Sequence, residues 1–178
     1  MLEITLPEAK PAYEWVNGRA LQKVSPKRKH AMAQTAFVVA LDRWARATGA
    51  GVAGTEWRFR IAPPGEVRRP LVPDVAFLSY KRLPYREMKV TDEPRVAPDV
   101  VVEVKSPGER RSDIQEKVRV YLAAGTHVVF LVDPSSRVVT VCDARGEQHL
   151  DDKAVITHAA LPGFRLPVKK LFELPRPK

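Results

Sequence analysis

The chain has 178 residues, 44% hydrophobic and 29% charged, a balance that excludes a disordered polymer and allows a core without covalent staples. Its 30 basic and 21 acidic residues give a formal charge of +9 and a pI near 9.9, which favours a polyanionic partner. Cys142 is the only cysteine, so no intramolecular disulfide is possible; with no signal-like N-terminus and no apolar run of bilayer length, a soluble cytoplasmic protein is expected.

In chain order, Asn17-Gly18 sits between two short strand-like runs, Ala12–Val16 and Arg19–Val24. Both residues tolerate positive φ, so a hairpin is predicted. Ser25-Pro26 predicts a helix start, and Gly49 its left-handed stop after Thr48. Phe37, Leu41, Trp44 and Ala45 recur at the spacing of one buried helical face. Strands are predicted at about 52–61, 71–79 and 99–105, with a polar, basic excursion from Tyr80 to Pro98. A second helix is expected after Arg111, opened by a Ser112/Gln115 capping box and closed at Gly125. His127–Val132, Arg137–Asp143 and a weak segment near 154–157 read as strands, the first two joined by a turn at Pro134-Ser135-Ser136. Leu161–Leu166 is expected to be extended, and Val168–Leu174 to form a helical turn or two. The order ββαβββαβββ predicts an α/β (α+β) fold, one domain over 1–178, in which helices pack on a sheet.

The segment from Asp99 to Lys105 carries the chemistry. Strand side chains alternate, so Val100, Val102 and Val104 share one face while Asp99, Val101, Glu103 and Lys105 share the other. A run this rich in valine reads as a central strand, where ionisable side chains are costly unless a cation or hydrogen bonds compensate them. Glu103 and Lys105 lie about 7 Å apart along the strand, close enough to serve one centre. A carboxylate suits Mg²⁺, and a nearby ammonium suits a water. Asp99 lies about 13 Å from Glu103, too far to ligate the same ion. Asp74, on a different strand, can be set beside Glu103 by sheet pairing, and is expected as the second ligand. Asp99 is expected to have a structural role.

The set Pro73-Asp74 followed by Glu103-x-Lys105 resembles the PD-(D/E)xK nuclease superfamily. The longer blocks "RRPLVPDVAFLS", "APDVVVEVKSPGERRSDIQEKVRVYLAAGTHVVFLVDP" and "LPGFRLPVKKLF" resemble its Uma-type branch of "putative restriction endonucleases" over roughly residues 13–172. The resemblance implies a restriction-endonuclease-like core, a mixed central sheet flanked by helices. It also implies Mg²⁺, replaceable by Mn²⁺, on Asp74, Glu103 and the Val104 backbone carbonyl, with Lys105 as the catalytic lysine. Relatives with an apolar residue in place of Lys105 point instead to a helix lysine matching Lys117. The chain has both, so the working lysine stays open between them.

On a helical wheel Lys117 falls at about −60° from Ile114, at the edge of a stripe formed by Ile114, Val118, Tyr121 and Leu122. From there it can reach inward or snorkel outward. Glu56 reads as a solvated carboxylate, His30 as a group that approaches from the edge or caps the surface, and Glu14 as exposed. Arg110 and Arg111, leading into the second helix, suit phosphate contact. Lys81-Arg82 with Arg86, and Arg68-Arg69, form further basic patches. The expected function is hydrolysis of DNA phosphodiester bonds on a duplex; the alternative is a non-cleaving nucleic-acid-binding module of the same fold. Cutting both strands at once needs two active sites, an arrangement a homodimer would supply.

Overall fold

The computed structural model describes residues 2–174 and 177. The chain opens with a hairpin of Tyr13–Val16 (β1) and Arg19–Gln22 (β2), turned at Asn17 and Gly18 with φ of 49° and 73°. The first helix, α1, spans Arg28–Thr48 and stops at Gly49, whose N–H bonds the Ala45 carbonyl in the left-handed conformation. It starts later than the Ser25-Pro26 signal, on Lys27 and without a side-chain cap. The chain between Gln22 and α1 is irregular and carries Lys23 to contacts beneath the helix.

The two long segments expected at 52–61 and 71–79 each divide. The first gives Gly51–Thr55 (β3) and Phe59–Ile61 (β4), separated where Glu56 takes a positive φ of 49°. The second gives Arg69–Leu71 (β5) and Val75–Ser79 (β6), separated at Pro73-Asp74. The basic excursion holds a single helical turn, Tyr85–Met88 (α2), before Val100–Val104 (β7). Helix α3 spans Arg111–Ala123. The expected capping box does not form: Arg110 is the N-cap and makes no side-chain cap bond, and Ser112 and Gln115 are exposed. Val128–Asp133 (β8) and Val138–Asp143 (β9) follow as expected. Gly146–Leu150 (β10) was not legible, because its face is exposed and its residues are polar. Val155–Ile156 (β11), Leu166–Pro167 (β12) and a 3₁₀ turn at Val168–Leu171 complete the chain.

Six strands form one mixed sheet in the order β10-β9-β8-β7-β6-β3, in which only β7 and β8 are parallel. Helix α3 is the crossover that parallel pairing requires. The alternation along β7 sorts the core into two layers. Val100, Val102 and Val104 pack with Phe37, Leu41, Phe77 and Phe130 on the α1 side. Val101 packs with Ala76, Val129, Val120 and Tyr121 on the α3 side. With both faces covered, β6 and β7 are buried along their whole length, so an acidic side chain at their ends is held in a low-dielectric setting. Among the described residues, no helix is long and apolar enough to cross a membrane.

Candidate active site

Strands β6 and β7 are antiparallel, with Val75 opposite Val102. One step further, Asp74 and Glu103 face each other, on the same side as the Ala76–Val101 pair and hence toward α3. Both carboxylates are buried, at 3% and 7% exposure, and both line a cleft of 280 Å³. The two carboxylates expected on one face of the sheet are therefore brought together.

Their partners decide what the site can do. Lys117 Nζ donates to Glu103 Oε2 at 2.5 Å and to Glu14 Oε2 at 3.2 Å, and the Tyr121 hydroxyl donates to Glu103 Oε1 at 3.3 Å. The buried face of α3 is Asp113, Lys117, Val120 and Tyr121. Lys117 thus lies within that face, not at the edge that the apolar stripe implied, because two of its four positions are charged. Lys105 goes elsewhere: half-exposed, it carries its ammonium to Asp133 at 3.3 Å, at the end of β8. Of the two candidate lysines, Lys117 is the one that meets Glu103.

Asp74 accepts from Lys23 Nζ through Oδ1 and from the Val104 N–H through Oδ2, both at 2.7 Å, while His30 Nε2 lies 3.2 Å from Oδ2. His30 is therefore part of the site rather than a surface cap. Gln34 Nε2 bonds the Asp74 carbonyl oxygen at 2.9 Å. Glu14 is buried at 2% exposure and its Oε1 accepts the Val72 N–H at 2.8 Å, which corrects its reading as exposed. Glu14 and Val16 are both buried in β1, so a period-2 reading of this short strand contained the signal. Lys23 was missed altogether, since nothing local distinguishes it from a solvated lysine. Glu56 is half-exposed at the rim, 3.1 Å from Lys23 Nζ.

Electrostatics follow from this burial. For Asp74, burial opposes ionisation, but the His30 hydrogen bond and the Lys23 charge outweigh it and hold the pKa well below the usual range. For Glu103, burial dominates the pull of Lys117, and Glu14 and Asp74 add repulsion, so its pKa is pushed up to about 8. Burial alone would lower the Lys117 pKa, but Glu103 and then Glu14 and Asp74 raise it well above normal. Lys117 is a permanent cation at neutral pH.

Other expected residues are placed apart. Asp99 is structural: its Oδ2 accepts the Ser79 N–H at 2.7 Å, and Arg82 lies 3.4 Å from Oδ1. The Arg82 guanidinium donates to the carbonyls of Ala97 and Gly125 at 2.9 and 2.8 Å. Lys81 is exposed but follows the C-terminal end of β6, whereas Asp74 precedes its N-terminal end. Arg110 lines the cleft and Arg111 the neighbouring cavity beyond Glu103.

Among the described residues, no group of three or more His, Cys, Asp or Glu is gathered to hold a metal through side chains alone. The donor set is a pair of opposed carboxylates with the Val104 backbone beside them, already balanced by ammonium groups. Such a set does not suit Zn²⁺, but it fits Mg²⁺, which takes one or two carboxylates and keeps several waters.

Comparisons with known proteins concern the family and the fold. A search of curated proteins finds no match. The chain is similar to a solved structure described as a "putative nuclease belonging to DUF820" from Anabaena variabilis, with a TM-score of 0.83 and 26% identity over 94% of this chain and 93% of that one. The model of the Uma2 family, described as "Putative restriction endonuclease", matches residues 2–169, so the chain belongs to that family and has a restriction-endonuclease-like nuclease fold.

Proposed function

We propose that the protein is a Mg²⁺-dependent endonuclease that hydrolyses phosphodiester bonds in duplex DNA. The observation that carries this reading is the convergence of Asp74, Glu103 and Lys117 in one cleft, with Lys117 Nζ 2.5 Å from Glu103. Asp74 and Glu103, with the Val104 carbonyl, are the residues that would hold the ion. When bound, Mg²⁺ supplies Lewis-acid stabilisation of the phosphoryl charge and a more acidic water.

The chain's own residues do the rest. Val104 N–H and His30 fix the Asp74 carboxylate, and Tyr121 fixes that of Glu103. Lys117, with its raised pKa, keeps its protons at neutral pH. It therefore acts by donating hydrogen bonds to the attacking water or to a phosphoryl oxygen, not as a base. Lys105 is left outside this machinery by its pairing with Asp133. Arg110, exposed at the mouth of the cleft, is available to the DNA backbone.

The test is conversion of supercoiled plasmid by purified protein with Mg²⁺ or Mn²⁺ and with chelator. Glu103→Gln and Lys117→Met should each lower cleavage by about 10²-fold or more, the size of a lost electrostatic group in a water-poor site. Lys105→Ala should retain most of it. Cleavage that persists in chelator, or that follows Lys105 instead of Lys117, overturns the proposal.

A further inference from the structure

Asp74 uses its two oxygens differently. Oδ2 is tied to the Val104 N–H, a backbone donor that cannot leave without opening the β6–β7 edge. Oδ1 is tied to Lys23 Nζ at 2.7 Å, a side chain from the trailing end of the hairpin that is 11% exposed. The three ammonium hydrogens of Lys23 meet three acceptors: Asp74 Oδ1, the Val72 carbonyl at 2.7 Å and the Glu56 carboxylate at 3.1 Å. Glu56 is 48% exposed and is steadied by Gln34 Nε2 at 3.2 Å, the same amide that bonds the Asp74 carbonyl.

We propose that Lys23 is a built-in competitor of the divalent cation for Asp74, a latch that gives up Oδ1 and stays on Glu56 when the cation binds. The inference rests on the reading of Asp74 as a metal ligand. Oδ1 is the Asp74 oxygen that no backbone donor holds, so it is the one a cation reaches by displacing only a side chain. An ammonium and a divalent ion compete for it, because like charges repel strongly in a buried site. Departure of Lys23 does not strand a buried charge, because Val72 and Glu56 remain within its reach. Displacement therefore costs about one charge-assisted hydrogen bond, and Glu56, at the rim and outside the ligand set, tunes the metal affinity through Lys23.

Calorimetric titration of the full chain with Mn²⁺ tests this directly, using wild type, Lys23→Met, Glu56→Gln and the double variant, each checked for folding by circular dichroism. Lys23→Met should tighten Mn²⁺ binding by roughly ten- to a hundredfold, the equivalent of one hydrogen bond to a charged group. Glu56→Gln should weaken binding severalfold, and this effect should vanish in the Lys23→Met background. Binding detected in Lys23→Met but not in wild type also supports the latch. Wild-type binding that Lys23→Met leaves unchanged or weakens overturns the latch and leaves the nuclease reading intact. A Glu56→Gln effect that persists undiminished in the double variant, or tighter binding by Glu56→Gln, does the same. No binding by wild type or Lys23→Met overturns both. Should Lys23→Met fail to fold, Glu56→Gln at its exposed position decides: weaker binding supports the latch, and unchanged or tighter binding overturns it.

Discussion

Glu103 accepts Lys117 on one oxygen and the Tyr121 hydroxyl on the other while almost fully buried, and its proton affinity follows from that setting. Burial pushes its pKa up to about 8, so a proton and a cation compete for this carboxylate around neutral pH. A metal ligand must be ionised, so cation binding there releases a proton. Apparent Mn²⁺ affinity should rise with pH by up to about tenfold per unit below pH 8 and level off above it. In Glu103→Gln that slope should flatten, since Asp74, with its depressed pKa, stays ionised throughout the range. Calorimetry at pH 6, 7 and 8.5 measures it. A wild-type affinity independent of pH would remove Glu103 from the ligand set. Glu103 stands out in the sequence because strand alternation is strict and local, and Asp74 because Asp99 lies too far along the same strand to share an ion with Glu103. Lys23 does not: it is one of several lysines until the hairpin docks and carries it to Asp74.

At the scale of elements, the hairpin has no sheet of its own beyond two strands and is held by its side chains. Asn17 Nδ2 and Arg19 Nη2 converge on Asp113 at 2.8 and 2.6 Å, and Glu14 joins the Val72 backbone to Lys117. Asp113, in the first turn of α3, thus fastens β1–β2 over the cleft. Asp113→Ala should cost about 1–3 kcal/mol, seen as a lower urea midpoint, because two charge-assisted bonds to a buried carboxylate are lost. Edge strand β3 is constrained differently. A Cβ at Gly51 would stand 2.2 Å from the Leu78 carbonyl oxygen, a backbone atom that pairing with β6 holds in place. Gly51→Ala should therefore destabilise by about 1–3 kcal/mol despite its small volume. The same contrast explains what was legible of the elements. Helix α1 could be read because Phe37, Leu41 and Ala45 mark an apolar face; the span of α3 could be read too, but not which face it buries, because Asp113 and Lys117 occupy half of its buried positions. The β10 strand was hidden by its polarity: its pairing with β9 is a matter of backbone, which sequence pattern does not report.

Across the whole molecule, the +9 charge does not by itself say where a polyanion lies. The sheet supplies a direction. Asp74 before β6 and Glu103 at the end of β7 share one end, where α3 begins with Arg110 and Arg111. Lys81, Arg82 and Arg86 belong to the opposite end, about 17 Å of strand away. Each phosphate neutralised on duplex DNA contributes about 0.9 to the slope of log affinity against log salt. If DNA approaches the carboxylate end, Arg110→Ala with Arg111→Ala should reduce that slope by up to about 1.8. Lys81→Ala with Arg86→Ala should leave it unchanged. Fluorescence polarisation of a labelled duplex across a salt series, in Ca²⁺ to hold the complex without turnover, distinguishes the two ends. A slope that falls only with the second pair would place the polyanion on the face where Arg82 clamps the Ala97 and Gly125 carbonyls, out of reach of Glu103, and no endonuclease could then be built on Asp74 and Lys117.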